Sequence, residues 1–158
     1  MRDRIKLHVE WLQTLPMLPF SLILAGYVFV LRLVPVIIAA TATLVTGADL
    51  PMNDAPFLMA VALAPIVETL TFQWLPIAAS SRLTTRTPVI LGISTTLFAT
   101  AHYDAGILSM LVAAPAGFVL AWAFMAQRDK GIWTALWTTA LVHMWVNLGA
   151  EAIRLIPH

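Results

Sequence analysis

The sequence predicts an all-α polytopic membrane protein, a helix bundle of about five transmembrane helices, and three observations predict it. Of the 158 residues, 60% are hydrophobic and only 11% are charged, whereas a soluble domain carries about 45–50% apolar and roughly 25% charged residues. The apolar residues gather into five runs, most of them near the ~20 residues that a helix needs to cross a bilayer. None of the runs alternates polar with apolar positions over ~10 residues, as a membrane-spanning strand would.

The elements follow in order. At the N-terminus, Arg2, Arg4 and Lys6 are interleaved with Ile5, Leu7, Val9, Trp11 and Leu12, and Pro16 and Pro19 close the stretch. This pattern predicts a short interfacial helix, an arm over residues 1–18. The first span runs from Phe20 to Thr46, interrupted by Arg32 and Pro35, and ends in a turn-like Thr46-Gly47-Ala48-Asp49. Its length and Arg32 argue against a cleaved signal peptide. The second runs from Pro56 to Ala79, the third from Pro88 to Tyr103, the fourth from Gly106 to Ala126 and the fifth from Gly131 to Ala150. The third is short for a span. With no repeat and no long linker, residues 1–158 form one integral membrane domain. Tryptophans such as Trp11, Trp74, Trp133 and Trp137 fall near the ends of these runs, where an interfacial aromatic belt places them.

Loop charges set an expected orientation, because basic residues are retained on the cytoplasmic side. Arg2, Arg4, Lys6, Arg82, Arg86, Arg128 and Lys130 all fall on one side, while Asp49, Asp54 and Asp104 fall on the other. The N-terminus is expected in the cytoplasm and the C-terminus outside. A bacterial cytoplasmic membrane suits the minimal loops.

Composition also narrows the chemistry. A formal net charge of +1 offers no basic face for nucleic acid. The absence of cysteine excludes a thiol nucleophile, thiolate metal sites and disulfides. Ser21, Ser94 and Ser109 sit in no nucleophile motif.

Ionisable groups inside a span cost about 2.5–3.5 kcal/mol on insertion scales, so each is a functional candidate. Glu68 lies in the middle of the second span, His102 ends the third, and His143 and Asn147 lie in the fifth. His143 and Asn147 are four apart and share a helix face, as do Thr69 with Gln73 and Phe98 with His102. Counted from the helix ends at about 1.5 Å per residue, Glu68, His102 and His143 can meet in one half of the bilayer. One carboxylate, two imidazoles and a carboxamide suit hydrolysis by an activated water with a stabilised oxyanion. Arg32 has no obvious partner and is expected to pair with a polar group or to snorkel.

On these residues the chain resembles the CPBP family of intramembrane proteases, the CAAX prenyl endopeptidases and bacteriocin-processing (Abi) enzymes. That family is marked by Glu-Glu-x-x-x-Arg, then Phe-x-x-x-His, then His-x-x-x-Asn or Asp. The resemblance covers Pro56 to Asn147. Phe98 to His102 and His143 to Asn147 match, and the first motif reads Glu68-Thr69-Leu70-Thr71-Phe72-Gln73. Thr69 stands in place of a second Glu and Gln73 in place of Arg, so an ion pair four residues apart becomes a neutral pair, expected to serve as scaffolding. The resemblance implies an intramembrane endopeptidase of the glutamic type without a cofactor. In it Glu68 and His102 activate water, His143 and Asn147 bind the oxyanion, and Thr69, Gln73 and Phe98 support the site. One Glu and two His also suit zinc with an open position, which is the second mechanism.

The expected partners are the lipid bilayer and a membrane-anchored or exported protein, cut near its anchor on the external side. Small members resembling the myxosortases would act in that way. Two other functions use the same residues: a proton- or ion-relay component of a transporter, and a noncatalytic immunity or interaction protein on the family scaffold.

Overall fold

The computed structural model describes residues 2–46 and 55–155, without the side chains of Arg2 and Ala105. Among them there is no strand. Six helices follow one another: α1 (Arg2–Thr14), α2 (Met17–Thr46), α3 (Met59–Ser80), α4 (Thr87–Thr100), α5 (Ile107–Gln127) and α6 (Ile132–Arg154). All five expected spans are helices, α2 to α6. The expected turn at Gly47-Ala48-Asp49 lies outside the described residues.

Three of these helices are long and apolar enough to cross a membrane: Met17–Thr46, Met59–Ser80 and the helical stretch Ile107–Lys130 that begins with α5. The other two differ from a plain span for separate reasons. Helix α4 has only 14 residues, about 21 Å at 1.5 Å per residue against a hydrocarbon core of ~30 Å. It stops at Thr100, three residues before the expected end at Tyr103. Helix α6 has ample length, 23 residues, but carries His143 and Asn147 in its interior. Outward-facing Val30, Leu33, Val34, Ile37, Leu44 and Val45 of α2 are exposed apolar residues, which a bilayer solvates and water does not.

Helix α5 is the centre of the bundle and packs on α2, α4 and α6. Its inward positions are small, Ala113, Ala116, Gly117, Ala121 and Ala123, all buried. Small residues let helix backbones approach where no hydrophobic force drives helices together in lipid. Against them pack Phe20, Leu24 and Val28 of α2, Phe98 of α4, and Val142 and Val146 of α6. A second cluster joins Ile77 of α3, Ile90 and Leu91 of α4, Phe124 of α5 and Ala135 of α6.

The arm is held to this bundle. Leu12 of α1 is buried with Phe20 and Leu24, a ring nitrogen of His8 bonds the Tyr27 hydroxyl at 2.6 Å, and Lys130 Nζ donates to the Gln13 carbonyl at 2.5 Å. The helix expected as an interfacial arm therefore sits at the same end as the basic turn after α5.

Helix α3 is not a regular α-helix. Met59–Leu63 and Thr69–Trp74 are π-turn stretches, and each runs up to a proline within the next two residues, Pro65 and Pro76. Proline has no N–H, so it deprives a carbonyl of the preceding turn of its donor. In a membrane that carbonyl must find another donor, and side chains of neighbouring helices are the usual source. In the first π stretch the Ala64 N–H reaches the Met59 carbonyl, five residues back. The next bond in that register would run from Pro65 to Ala60. The Ala60 carbonyl instead accepts from Asn147 Nδ2 at 2.8 Å. In the second π stretch the Leu75 N–H reaches the Leu70 carbonyl, and Ser94 Oγ of α4 donates to the Phe72 carbonyl at 2.6 Å.

Gly117 sets how closely α5 approaches α4. A Cβ there would lie 2.9 Å from Phe98 Cδ1 and 3.1 Å from Phe98 Cβ. Gly117→Ala is expected to destabilise the fold by about 1–3 kcal/mol through overpacking. Denaturant titration in micelles checks this, and unchanged stability would contradict the packing described.

Candidate active site

The candidate residues come from four elements that end at the same side of the bundle. Glu68 lies on α3, between its two π stretches. His102 follows the end of α4. His143 and Asn147 are one turn apart on α6, and Glu151 is one turn further. Together with Arg32 of α2, Ala60, Ala64 and Ala150, these residues line one cavity of about 210 Å³. Of the sequence candidates, Glu68, His102, His143 and Asn147 are thus brought together, and Phe98 stands directly behind them.

Phe98 is fully buried and its ring organises both imidazoles. Its centroid is 4.8 Å from that of His102 and 5.6 Å from that of His143, the latter edge-on. Phe72 of α3 closes the cluster with another edge-on contact at 6.1 Å. The ring therefore fixes the spacing between two side chains from different helices.

One contact selects the tautomer of His102 when its ring is neutral. Its Nδ1 lies 2.8 Å from the Phe98 carbonyl, and a carbonyl can only accept, so Nδ1 carries the proton. The lone pair is left on Nε2. The chain turns sharply just beyond it: Gly106 has φ +89° and opens α5, a conformation that glycine adopts without steric cost.

Glu68 and His143 form the polar centre. Their Oε2 and Nε2 atoms are 3.6 Å apart, within ion-pairing range and longer than a hydrogen bond. The Glu68 side chain keeps 26% exposure while that of His143 keeps 5%, so the carboxylate is the more accessible of the two. His143 Nδ1 bonds to no other described group. Asn147 spends one amide N–H on the Ala60 carbonyl and retains the second.

Thr69 and Gln73 are fully buried, but they do not pair. The Thr69 hydroxyl and both Gln73 amide atoms bond to no described group. Both sit in the second π stretch, away from the cavity lining.

Two residues of the cavity wall, Arg32 and Glu151, were not site candidates in the sequence. Arg32 was expected to pair or snorkel; its Nε donates to the Val112 carbonyl of α5 at 3.0 Å, and it lines the cavity. Glu151 lies just beyond the fifth span as read from the sequence, which ended at Ala150, although its spacing of four from Asn147 and eight from His143 puts it on the same face of α6. It is ion-paired to Arg154 at 3.0 Å. Among the described residues, no three His, Asp or Glu side chains are grouped so as to hold a metal ion.

Comparison with curated proteins and with solved structures gave no match. A family model described as type II CAAX prenyl endopeptidase Rce1-like matches residues 53–149, a region that runs from just before α3 into α6 and contains Glu68, His102, His143 and Asn147. The match spans more than half of the chain, and the apolar helices agree with it: the chain belongs to the type II CAAX prenyl endopeptidase Rce1-like family, integral membrane hydrolases that act on peptide bonds.

Proposed function

We propose that this protein is a glutamic-type intramembrane endopeptidase, in which Glu68 and His102 activate a water molecule for attack on a peptide carbonyl. The observation that carries this reading is the convergence of Glu68, His102, His143 and Asn147 on one cavity of about 210 Å³. Glu68 is the accessible carboxylate, and His102 presents an unprotonated Nε2. Either can accept a proton from water, and the same group can return it to the leaving amine, the two halves of general acid–base catalysis.

The attacked carbonyl gains negative charge that donors must meet. His143 Nε2 and the second N–H of Asn147 fill that role. Asn147 is well suited because its other N–H is fixed to the Ala60 carbonyl, which removes rotational freedom before substrate arrives. Thr69, Gln73 and Phe98 act as support: Phe98 holds the imidazole rings, and the other two fill space in α3. No metal is needed for these steps, because both proton acceptors and both oxyanion donors are protein groups.

The substrate is a membrane-anchored or exported polypeptide cut near its anchor. With the N-terminus in the cytoplasm of a bacterial cell, the cavity faces the outer half of the membrane. Cysteine-accessibility labelling tests this: Asp104→Cys is expected to react with an impermeant thiol reagent added outside, and labelling only after membrane permeabilisation would reverse the orientation.

The catalytic proposal is tested by expressing wild type and Glu68→Gln at matched abundance and reading polypeptide termini by mass spectrometry, with and without a chelator. New termini are expected with wild type alone, insensitive to chelation, and reduced about 10²-fold or more by Glu68→Gln. Termini that persist in Glu68→Gln would contradict the role of the carboxylate. Their loss on chelation would contradict a metal-independent mechanism.

A further inference from the structure

Arg32 lines the cavity with no described carboxylate within ion-pairing distance of its guanidinium. Of the two carboxylates there, one is ion-paired and the other faces an imidazole. Glu151 is held by Arg154 at 3.0 Å, and Glu68 faces His143 at 3.6 Å. No described carboxylate lies within 4 Å of the Arg32 guanidinium. Among the described residues its hydrogen bond runs from Nε to a neutral carbonyl, that of Val112.

That bond sets the geometry of the rest of the group. Val112 lies three residues before Pro115, inside α5, and the bond anchors the base of the guanidinium fork to the central helix. The four N–H groups on Nη1 and Nη2 remain. Arg32 is half-buried and belongs to the same cavity wall as Glu68, His102, His143 and Asn147. A cation held at membrane depth seeks an anion, and a guanidinium binds a carboxylate through two parallel hydrogen bonds.

We propose that Arg32 forms a carboxylate-binding subsite beside the hydrolytic residues, which selects substrates presenting a carboxylate a short distance from the bond to be cut. The inference rests on the endopeptidase reading for its meaning, but the subsite is a binding feature and is measurable without turnover. Arg32 lies outside the matched residues 53–149, so it is a feature of this chain's own first span. The carboxylate can be the free C-terminus of a polypeptide or an acidic side chain near the bond.

Three lipid-anchored probes separate these sources: N-dodecanoyl-tetraalanine with a free C-terminus, the same peptide as its C-terminal amide, and an amide-capped analogue with one internal Glu. Dissociation constants are measured in micelles for wild type, Arg32→Gln and Arg32→Lys. Wild type is expected to bind at least one acidic probe about tenfold or more tightly than the amide, the scale of a charged hydrogen-bonded contact. Arg32→Gln is expected to bind all three alike, at the affinity of the amide, and Arg32→Lys to recover part of the preference. Tight binding of the free-terminus probe alone assigns the terminal carboxylate, and tight binding of the Glu probe assigns a side chain.

Equal binding of all probes by wild type would overturn the proposal, as would a preference that survives in Arg32→Gln. A uniform loss for all three probes, with a lowered unfolding transition, would make Arg32 a structural tether to Val112 and also overturn it. Failure of the endopeptidase reading would show separately, as an absence of Glu68-dependent termini.

Discussion

A backbone carbonyl without its donor is the constraint on which this structure turns. In water such a group would be hydrated; in hydrocarbon it must be met by protein. Helix α3 contains two prolines that remove donors, and at the first of them a polar side chain from another helix comes to the open carbonyl, Asn147 of α6 to Ala60; Ser94 of α4 also donates to a carbonyl of α3, that of Phe72. On α5, Arg32 of α2 donates to the Val112 carbonyl, which is not the one that Pro115 leaves open. The Asn147 contact does two things at once. It satisfies the backbone, and it fixes the place of a polar side chain that lipid would otherwise expel. Two of those three side chains, Asn147 and Arg32, also line the cavity.

The site therefore owes its form to irregular helix rather than to loops. Glu68 stands between the two π stretches of α3, so widened turns lie on either side of the accessible carboxylate. π-turns in otherwise α-helical segments are frequent at functional positions. Behind the polar groups, the buried Phe98 ring bridges the two imidazoles, and Gly117 leaves room for that ring against α5. Short α4 matters for the same reason. Because it stops at Thr100, His102 lies on a turn where its Nδ1 can reach back to the Phe98 carbonyl.

Much of this was legible in the sequence. Five apolar runs marked the five helices of the bundle, and the spacings of Phe98 with His102 and of His143 with Asn147 correctly put each pair on one face. Counting residues from the helix ends was enough to place Glu68, His102 and His143 at a common depth. The rest depended on information that periodicity does not hold. Prolines at positions 65 and 76 signal a disturbed helix, but not that the disturbance takes the form of π-turns. Thr69 and Gln73 looked like a hydrogen-bonded replacement for an ion pair, and instead both are buried with no bond to one another. Arg32 could not be joined to the site by any spacing, since the contact that places it is with a helix 80 residues away in sequence.

The bond between Asn147 and the carbonyl that Pro65 leaves open is the point at which fold and site are the same interaction, and a double-mutant cycle measures it directly. Pro65→Ala returns an N–H to α3, so the Ala60 carbonyl no longer depends on Asn147. Stability in micelles of wild type, Pro65→Ala, Asn147→Ala and the double variant should show a coupling of about 0.6–1.7 kcal/mol, the range for hydrogen bonds between membrane helices. Asn147→Ala would then cost clearly less in the Pro65→Ala background. Strictly additive effects would contradict the claim that the proline-freed carbonyl positions Asn147.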